Sequence, residues 1–195
     1  MRAIVLDAHG GPDVLALRDV PDPSPGPEEV VVEVVATSLN RADILQRLGR
    51  YPGPPMDHEI PGLELAGRVL EAGARATRWE VGDAVMGIVA GGAYAERITI
   101  HERQLMAVPG SIPLEDAGAV PEVWITAWDA LVARGGLTPG RTALVHAGAS
   151  GVGTAAIQLC RAIGARVAVT CSTAKVPACR DLRPTSSSTT RARTS

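Results

Sequence analysis

The stretch "HAGASGVGTAA" (146–156) places glycines and small residues where phosphate chemistry needs them. Backbone N–H groups in the first turn of a helix have no intrahelical partner, and the helix dipole adds partial positive charge there. A phosphate reaches them only if the backbone approaches closely, so glycine is needed at the turn and at the helix–strand contact. Gly148 and Gly153 fill the first and third places of a G-x-G-x-x-G pattern, Ser150 stands in the second, and Gly151 follows it. Ser150 is small, and its hydroxyl can itself bond a phosphate; Val152 completes the helix start. A tight structural turn is the competing reading of any lone glycine pattern. Here the loop follows a predicted strand, opens a predicted helix and lies inside a strand–helix–strand unit, which favours a dinucleotide.

The end of the following strand selects among dinucleotides. An NAD site usually carries Asp or Glu about 20 residues beyond the loop, bonded to the adenosine ribose. This chain reads "VTCSTAK" (169–175) there, with no acid. Ser172 and Lys175 can meet a 2′-phosphate with no carboxylate to repel it, which points to NADPH. Lys175 as a plain solvated lysine is the alternative.

The elements that position these residues are legible from periodicity. "RTALVHAG" and "ARVAVTC" are strands bracketing the helix "GTAAIQLCRAIG", on which Val152, Ala156, Leu159, Cys160 and Ile163 form one apolar face. Such a unit is a βαβ crossover and implies a parallel sheet. Upstream, "PLEDAGAVPEVWITAWDALVARGG" reads as helix, interrupted near Pro121 and stopped by Gly135 and Gly136. The first 110 or so residues are β-rich, with strands predicted in "MRAIVLDA", "DVLALRDV", "EEVVVEVVA", "ELAGRVLEAG", "GDAVMGIVA" and "AYAERITI". Short strands with Gly-rich turns argue for a closed or partly closed β-barrel. A short helix follows Asn40, with Ile44, Leu45 and Leu48 expected on its apolar side.

Composition sets the outer limits. The chain has 195 residues, 46% hydrophobic, with a net charge of -2, which fits a soluble globular protein and gives no electrostatic reason to expect nucleic acid. No apolar run approaches the ~18 residues of a membrane span. Cys160, Cys171 and Cys179 lack CxxC spacing and read as reduced, mostly buried thiols of a cytoplasmic protein. Only Lys175 among 19 basic residues is lysine, which suggests a GC-rich gene.

Five stretches in order carry a family resemblance: "SLNRADILQRLGRYPGPP" (38–55), "IPGLELAGRV" (60–69), "VGDAVMGIVAGGAYAERITI" (81–100), "AGAVPEVWITAWDAL" (117–131) and "VHAGASGVGTAAIQL" (145–159). Together they resemble the medium-chain dehydrogenase/reductase superfamily. Within it they are most similar to the zinc-independent NADPH quinone oxidoreductases related to zeta-crystallin, in the p53-inducible subgroup. The resemblance implies an α/β protein with a β-rich part. Residues 1–120 would form a GroES-like catalytic domain, 121–182 the start of an NADPH-binding Rossmann domain, and 183–195 an aberrant, disordered tail. It implies hydride transfer from NADPH to a quinone or another electrophilic carbonyl or alkene, and a homodimer in the full-length form. By position, Asn40 and Tyr51 match residues at the mouth of the nicotinamide and quinone pocket, Thr126 matches one near the nicotinamide, and Ser150 faces the cofactor. Read without the resemblance, Asn40 is a helix cap, Tyr51 a loop aromatic and Thr126 a helix residue. Zinc relatives carry a Gly-His-Glu motif where this chain has Gly62, Leu63 and Glu64. Leucine cannot bind metal, and "SLNRAD" supplies no cysteine, so no metal is expected. His58 and His146 read as a loop and a strand-end residue.

The chain departs from the family after Leu182. Family members are much longer and continue there with a third strand, whereas this chain reads "RPTSSSTTRARTS". In a GC-rich gene, a one-base shift of codons for Ala-Asp-Val-Val-Val-Asp-Tyr yields Pro-Thr-Ser-Ser-Ser-Thr-Thr, residues 184–190. A frameshift near Arg183 is therefore expected, with the third strand lost; a natural disordered tail is the alternative. An unshifted gene through Arg183 would refute the shift. Weak or absent turnover is expected of the 195-residue chain. A non-catalytic GroES-like module or pseudoenzyme, and enoyl-thioester reduction by the full-length form, are the competing functions.

Overall fold

The structure, a computed structural model, describes residues 1–189. The chain divides into two compact units, Met1–Glu122 and Val123–Ser195, and passes from one to the other inside a helix. The sequence-based boundary falls at 120.

In the first unit, β1 (Arg2–Leu6) and β2 (Leu15–Asp19) pair antiparallel as a ribbon. Five further strands form one antiparallel sheet: β3 (Glu29–Ala36), β4 (Glu64–Ala72), β5 (Ala84–Ile88), β6 (Arg97–His101) and β7 (Leu105–Ala107), in the order β6-β3-β4-β5-β7. The ladders do not close on themselves, so of the closed and partly closed forms expected, the described residues do not form the closed one. A single bridge, Ala3 to Ala95, joins the ribbon to the chain just before β6. Val30, Val32, Leu65, Val69, Val85 and Ile100 alternate inward and are buried together. β7 has only three residues, too short for a period-two signal to be read in advance.

Helix α1 (Arg41–Arg47) follows Asn40 as expected, but it does not bury the face that periodicity picks. Asp43 and Gln46 are buried, while Ile44 and Leu48 are exposed. The polar pair is bonded through one atom each: Asp43 Oδ2 accepts from Asn40 N at 2.6 Å and from the Tyr94 hydroxyl at 2.9 Å, and Gln46 Nε2 donates to Ala90 O at 3.0 Å. Asp43 Oδ1 and Gln46 Oε1 are buried without a hydrogen-bond partner among the described residues. The short helix α2 (Leu114–Ala117) precedes α3 (Pro121–Trp128), which runs on as a π-helical turn, Asp129–Arg134. Pro121 sits at the first position of α3, where its missing N–H costs nothing, and the turn stops at Gly135 and Gly136 as predicted.

The second unit holds a parallel three-stranded sheet in the order β10-β9-β8. β8 (Thr142–His146) leads through the glycine loop into α4 (Gly151–Ala162), and β9 (Arg166–Cys171) returns alongside β8. Ala156, Leu159 and Cys160 of the predicted apolar face are buried, with Val152 and Ile163 half-buried; Ala155 and Ile157 are buried as well. After α5 (Val176–Asp181), Ser186–Thr189 form β10, parallel to β9 from Ser186 opposite Ala168 to Thr189 opposite Cys171. The expectation that the third strand is lost is thus corrected at these four residues. β10 is mostly exposed and needs no apolar side chains, because the backbone ladder and Thr185 hold it. Thr185 N donates to Val167 O at 2.8 Å, and Val167 N donates to Thr185 Oγ1 at 3.0 Å. The rest of the expected tail, 190–195, lies outside the described residues. The three cysteines are buried and none is in a disulfide among the described residues.

Candidate functional site

The glycine loop is built around a sharp exit from β8. Ala147 takes a left-handed φ of 55°, and Gly148 N then donates to Thr170 O at 2.9 Å, tying the turn to the end of β9. A Cβ on Gly148 would lie 2.7 Å from Val169 Cβ, and one on Gly153 would lie 2.4 Å from Ala147 O. Gly153 is therefore the position where α4 crosses the loop backbone, as the pattern requires. Ser150 caps the helix, its Oγ accepting from Gly153 N at 3.0 Å and its carbonyl from Thr154 N at 2.8 Å. The serine hydroxyl thus serves the helix first. Helix geometry leaves the N–H groups of Gly151 and Val152, in the same first turn, for an anion.

Beside this loop lies a cavity of about 410 Å³, lined by Ala147, Ser150, Thr170, Cys171, Ser172 and Lys175 among others. Among the described residues no carboxylate lines it. Ser172 precedes a single 3-10 turn, with Lys175 N donating to Ser172 O at 2.9 Å, so the two predicted residues sit at one rim and both are exposed. His146 Nδ1 lies 2.9 Å from Thr170 Oγ1, linking β8 to β9 across the cavity floor. Sequence reasoning placed His146 at a strand end and missed Thr170; strand alternation beyond the loop was the available signal. Thr126 is exposed on α3 and is not among the residues lining this cavity. A phosphate-bearing dinucleotide fits this set: free helix-start amides, glycines that no Cβ could replace, and a hydroxyl and an ammonium at the rim.

The first unit holds a second constellation, around Asn40. Glu64, on β4, is fully buried and accepts from three donors. The Ser38 hydroxyl and Asn40 Nδ2 (2.8 Å) both reach Oε1, and Glu122 N, in the first turn of α3, reaches Oε2 at 2.9 Å. Thr37 Oγ1 adds a bond to Glu64 O at 2.7 Å. Next to it, burial pushes the Asp43 carboxyl above the ordinary aspartate range, against the pull of the Asn40 N–H and the Tyr94 hydroxyl. Burial and the Asp43 carboxylate push the Tyr94 phenol well above its ordinary value. Asn40 is therefore both the predicted cap of α1 and part of a buried polar network. Glu64 and Tyr94 were not singled out as members of this network, because the bonds that bring them in span 24 and 51 residues of sequence. Tyr51 is exposed and lines a different cavity, of about 310 Å³, with His9, Gly49 and Glu59, so Asn40 and Tyr51 do not share a cavity wall. Among the described residues no group of three or more His, Cys, Asp or Glu side chains is placed to hold a metal ion. No helix there is long and apolar enough to cross a membrane.

Residues 26–110 match the alcohol dehydrogenase GroES-like domain, which defines the class of the first unit. The synaptic vesicle membrane protein VAT-1 homolog of Rattus norvegicus is 38% identical over 165 residues, 84% of this chain and 41% of that protein. A quinone oxidoreductase of Pseudomonas aeruginosa is 38% identical over 172 residues, 88% of this chain and 53% of that protein. Among solved structures, Escherichia coli quinone oxidoreductase complexed with NADPH superposes with a TM-score of 0.88 at 30% identity, covering 96% of this chain and 58% of that one. The CurK enoyl reductase superposes with a TM-score of 0.90 at 28% identity, covering 97% and 60%. The chain belongs to the medium-chain dehydrogenase/reductase superfamily. It spans about half the length of the curated relatives it matches.

Proposed function

We propose that the chain carries the cofactor loop and acceptor-side residues of an NADPH-dependent, zinc-independent oxidoreductase that reduces a quinone or a similar electrophilic carbonyl or alkene. The observation that carries this reading is the acid-free cavity with Ser172 and Lys175 at its rim, beside the first turn of α4. The N–H groups of Gly151 and Val152 would bind the diphosphate, with Gly148 and Gly153 permitting the approach and Ser150 holding the turn. Ser172 and Lys175 would bind the 2′-phosphate. Thr126, Asn40 and Tyr51 are assigned to the nicotinamide and the acceptor. When bound, the reduced nicotinamide supplies the hydride, and the protein contributes position and electrostatics. Zinc independence rests on Leu63, which stands where a metal-binding relative has histidine. A cytoplasmic setting and a homodimer belong to the same reading.

Enoyl-thioester reduction is the second reading, favoured by the likeness to the CurK enoyl reductase. Fluorescence titration of the 195-residue chain with NADPH and NADH, followed by NADPH oxidation with a benzoquinone and with a crotonyl thioester, separates the alternatives. Saturable binding that favours NADPH is expected, with turnover weak in this chain and higher for the quinone. A higher kcat/KM for the thioester favours the second reading. A folded protein that binds no nicotinamide dinucleotide makes the chain a non-catalytic module and contradicts the proposal.

A further inference from the structure

Both hydrogens of the Asn40 side-chain amide are committed inside the protein. Nδ2 donates to Glu64 Oε1 at 2.8 Å and to Ser38 Oγ at 3.3 Å. Ser38 Oγ gives its own hydrogen to Glu64 Oε1, and Glu122 N occupies Oε2. A carboxylate only accepts. The end of the amide that faces Glu64 must therefore be the NH2 group, and the end left over is Oδ1. Turning the amide over would set two acceptor oxygens against each other beside a fully buried carboxylate, with no hydrogen between them. Amide orientation is set by the network around it, and this network has one solution. Oδ1 carries two lone pairs, so serving as the cap of α1 still leaves one for a ligand.

We propose that Glu64 is a positioning residue that locks the Asn40 amide with its N–H groups inward, so that Asn40 meets its ligand as a hydrogen-bond acceptor. The group it takes is a neutral donor, such as a ribose hydroxyl or a carboxamide N–H of a nicotinamide nucleotide, and not a carbonyl oxygen. The ligand's identity rests on the NADPH reading above; the lock itself does not. An oxygen that gains charge as hydride arrives needs a donor, and Asn40 has none to give.

Asn40 is the single asparagine of the chain, so asparagine-selective 15N labelling of the full 195-residue protein gives one side-chain NH2 pair. Both protons are expected to exchange slowly with solvent in the wild type. Glu64→Gln offers one oxygen to donors that now share two, and should speed that exchange on the order of tenfold or more, the loss of a charge-assisted bond. Ser38→Ala, a milder change that keeps the carboxylate, should release one proton of the pair and spare the other. Added NADPH should leave the pair protected, because the ligand meets Oδ1. Fast exchange in the wild type, indifference to both substitutions, or loss of protection when NADPH binds would overturn the proposal. If NADPH does not bind, the functional reading falls, while the comparison of wild type with Glu64→Gln still decides the lock.

Discussion

At the scale of single residues, Glu64 acts as an internal scaffold: one carboxylate accepts from Ser38 in the loop after β3, from Asn40 just before α1 and from Glu122 N at the start of α3. Removing it leaves buried donors without acceptors, each costing about 1–3 kcal/mol. Glu64→Ala is therefore expected to destabilise the protein by about 3 kcal/mol or more in urea unfolding, and a loss under about 1 kcal/mol would show that water takes its place. Asp43 sets a pH dependence of the opposite kind from most carboxylates. Its folded pKa is raised, chiefly by burial, so the folded state binds this proton more tightly than the unfolded chain does. The stability it contributes is complete below the ordinary aspartate value and is lost as pH rises through the folded value. Glu102 acts in reverse: the Arg78 and Thr77 amides hold its carboxyl low, and that contribution is lost as pH falls. Asp43→Asn keeps an acceptor for Asn40 N and Tyr94 and removes the charge. Its stability relative to wild type should improve as pH rises from about 4 toward neutrality; a flat difference in unfolding midpoints across that range would contradict the assignment.

At the scale of elements, what periodicity and glycine spacing reveal is local, and what they hide is not. The β8–loop–α4–β9 unit was legible because each of its signals, from the loop glycines to the apolar face of α4, lies within 30 or so residues. The buried face of α1 was not, since Asp43 and Gln46 bond to Tyr94 and Ala90, far along the chain. β10 is hidden in the sequence for a different reason: Ser186–Thr189 carry no apolar side chain, whereas an edge strand can be recruited by its backbone. Two measurements address this scale. Gly153→Ala drives a methyl toward Ala147 O, which should cost about 1–3 kcal/mol and abolish NADPH binding; unchanged affinity would remove the loop from the site. Thr185→Val leaves the Val167 N–H without its side-chain acceptor. Hydrogen exchange at Val167 should quicken on the order of tenfold, and no change would mean that β10 and its preceding residue do not hold β9.

At the scale of the whole molecule, Asn40 and Tyr51 belong to the first unit and the glycine loop to the second. Composition made that division visible early, through a β-rich first part and a βαβ second part. The choice between a closed and a partly closed sheet in the first unit was left open, because strand count and turn residues do not fix whether ladders close. The proposed preference for NADPH rests on recognition of a 2′-phosphate by Ser172 and Lys175 at the cavity rim. Parallel titration of the 195-residue wild type and Lys175→Ala with NADPH and NADH tests it directly. The wild type should bind NADPH more tightly than NADH, on the order of tenfold for one charge-assisted contact, and Lys175→Ala should erase that preference while leaving NADH affinity unchanged. Equal affinity for the two dinucleotides in the wild type, or an equal loss for both in the variant, would contradict it.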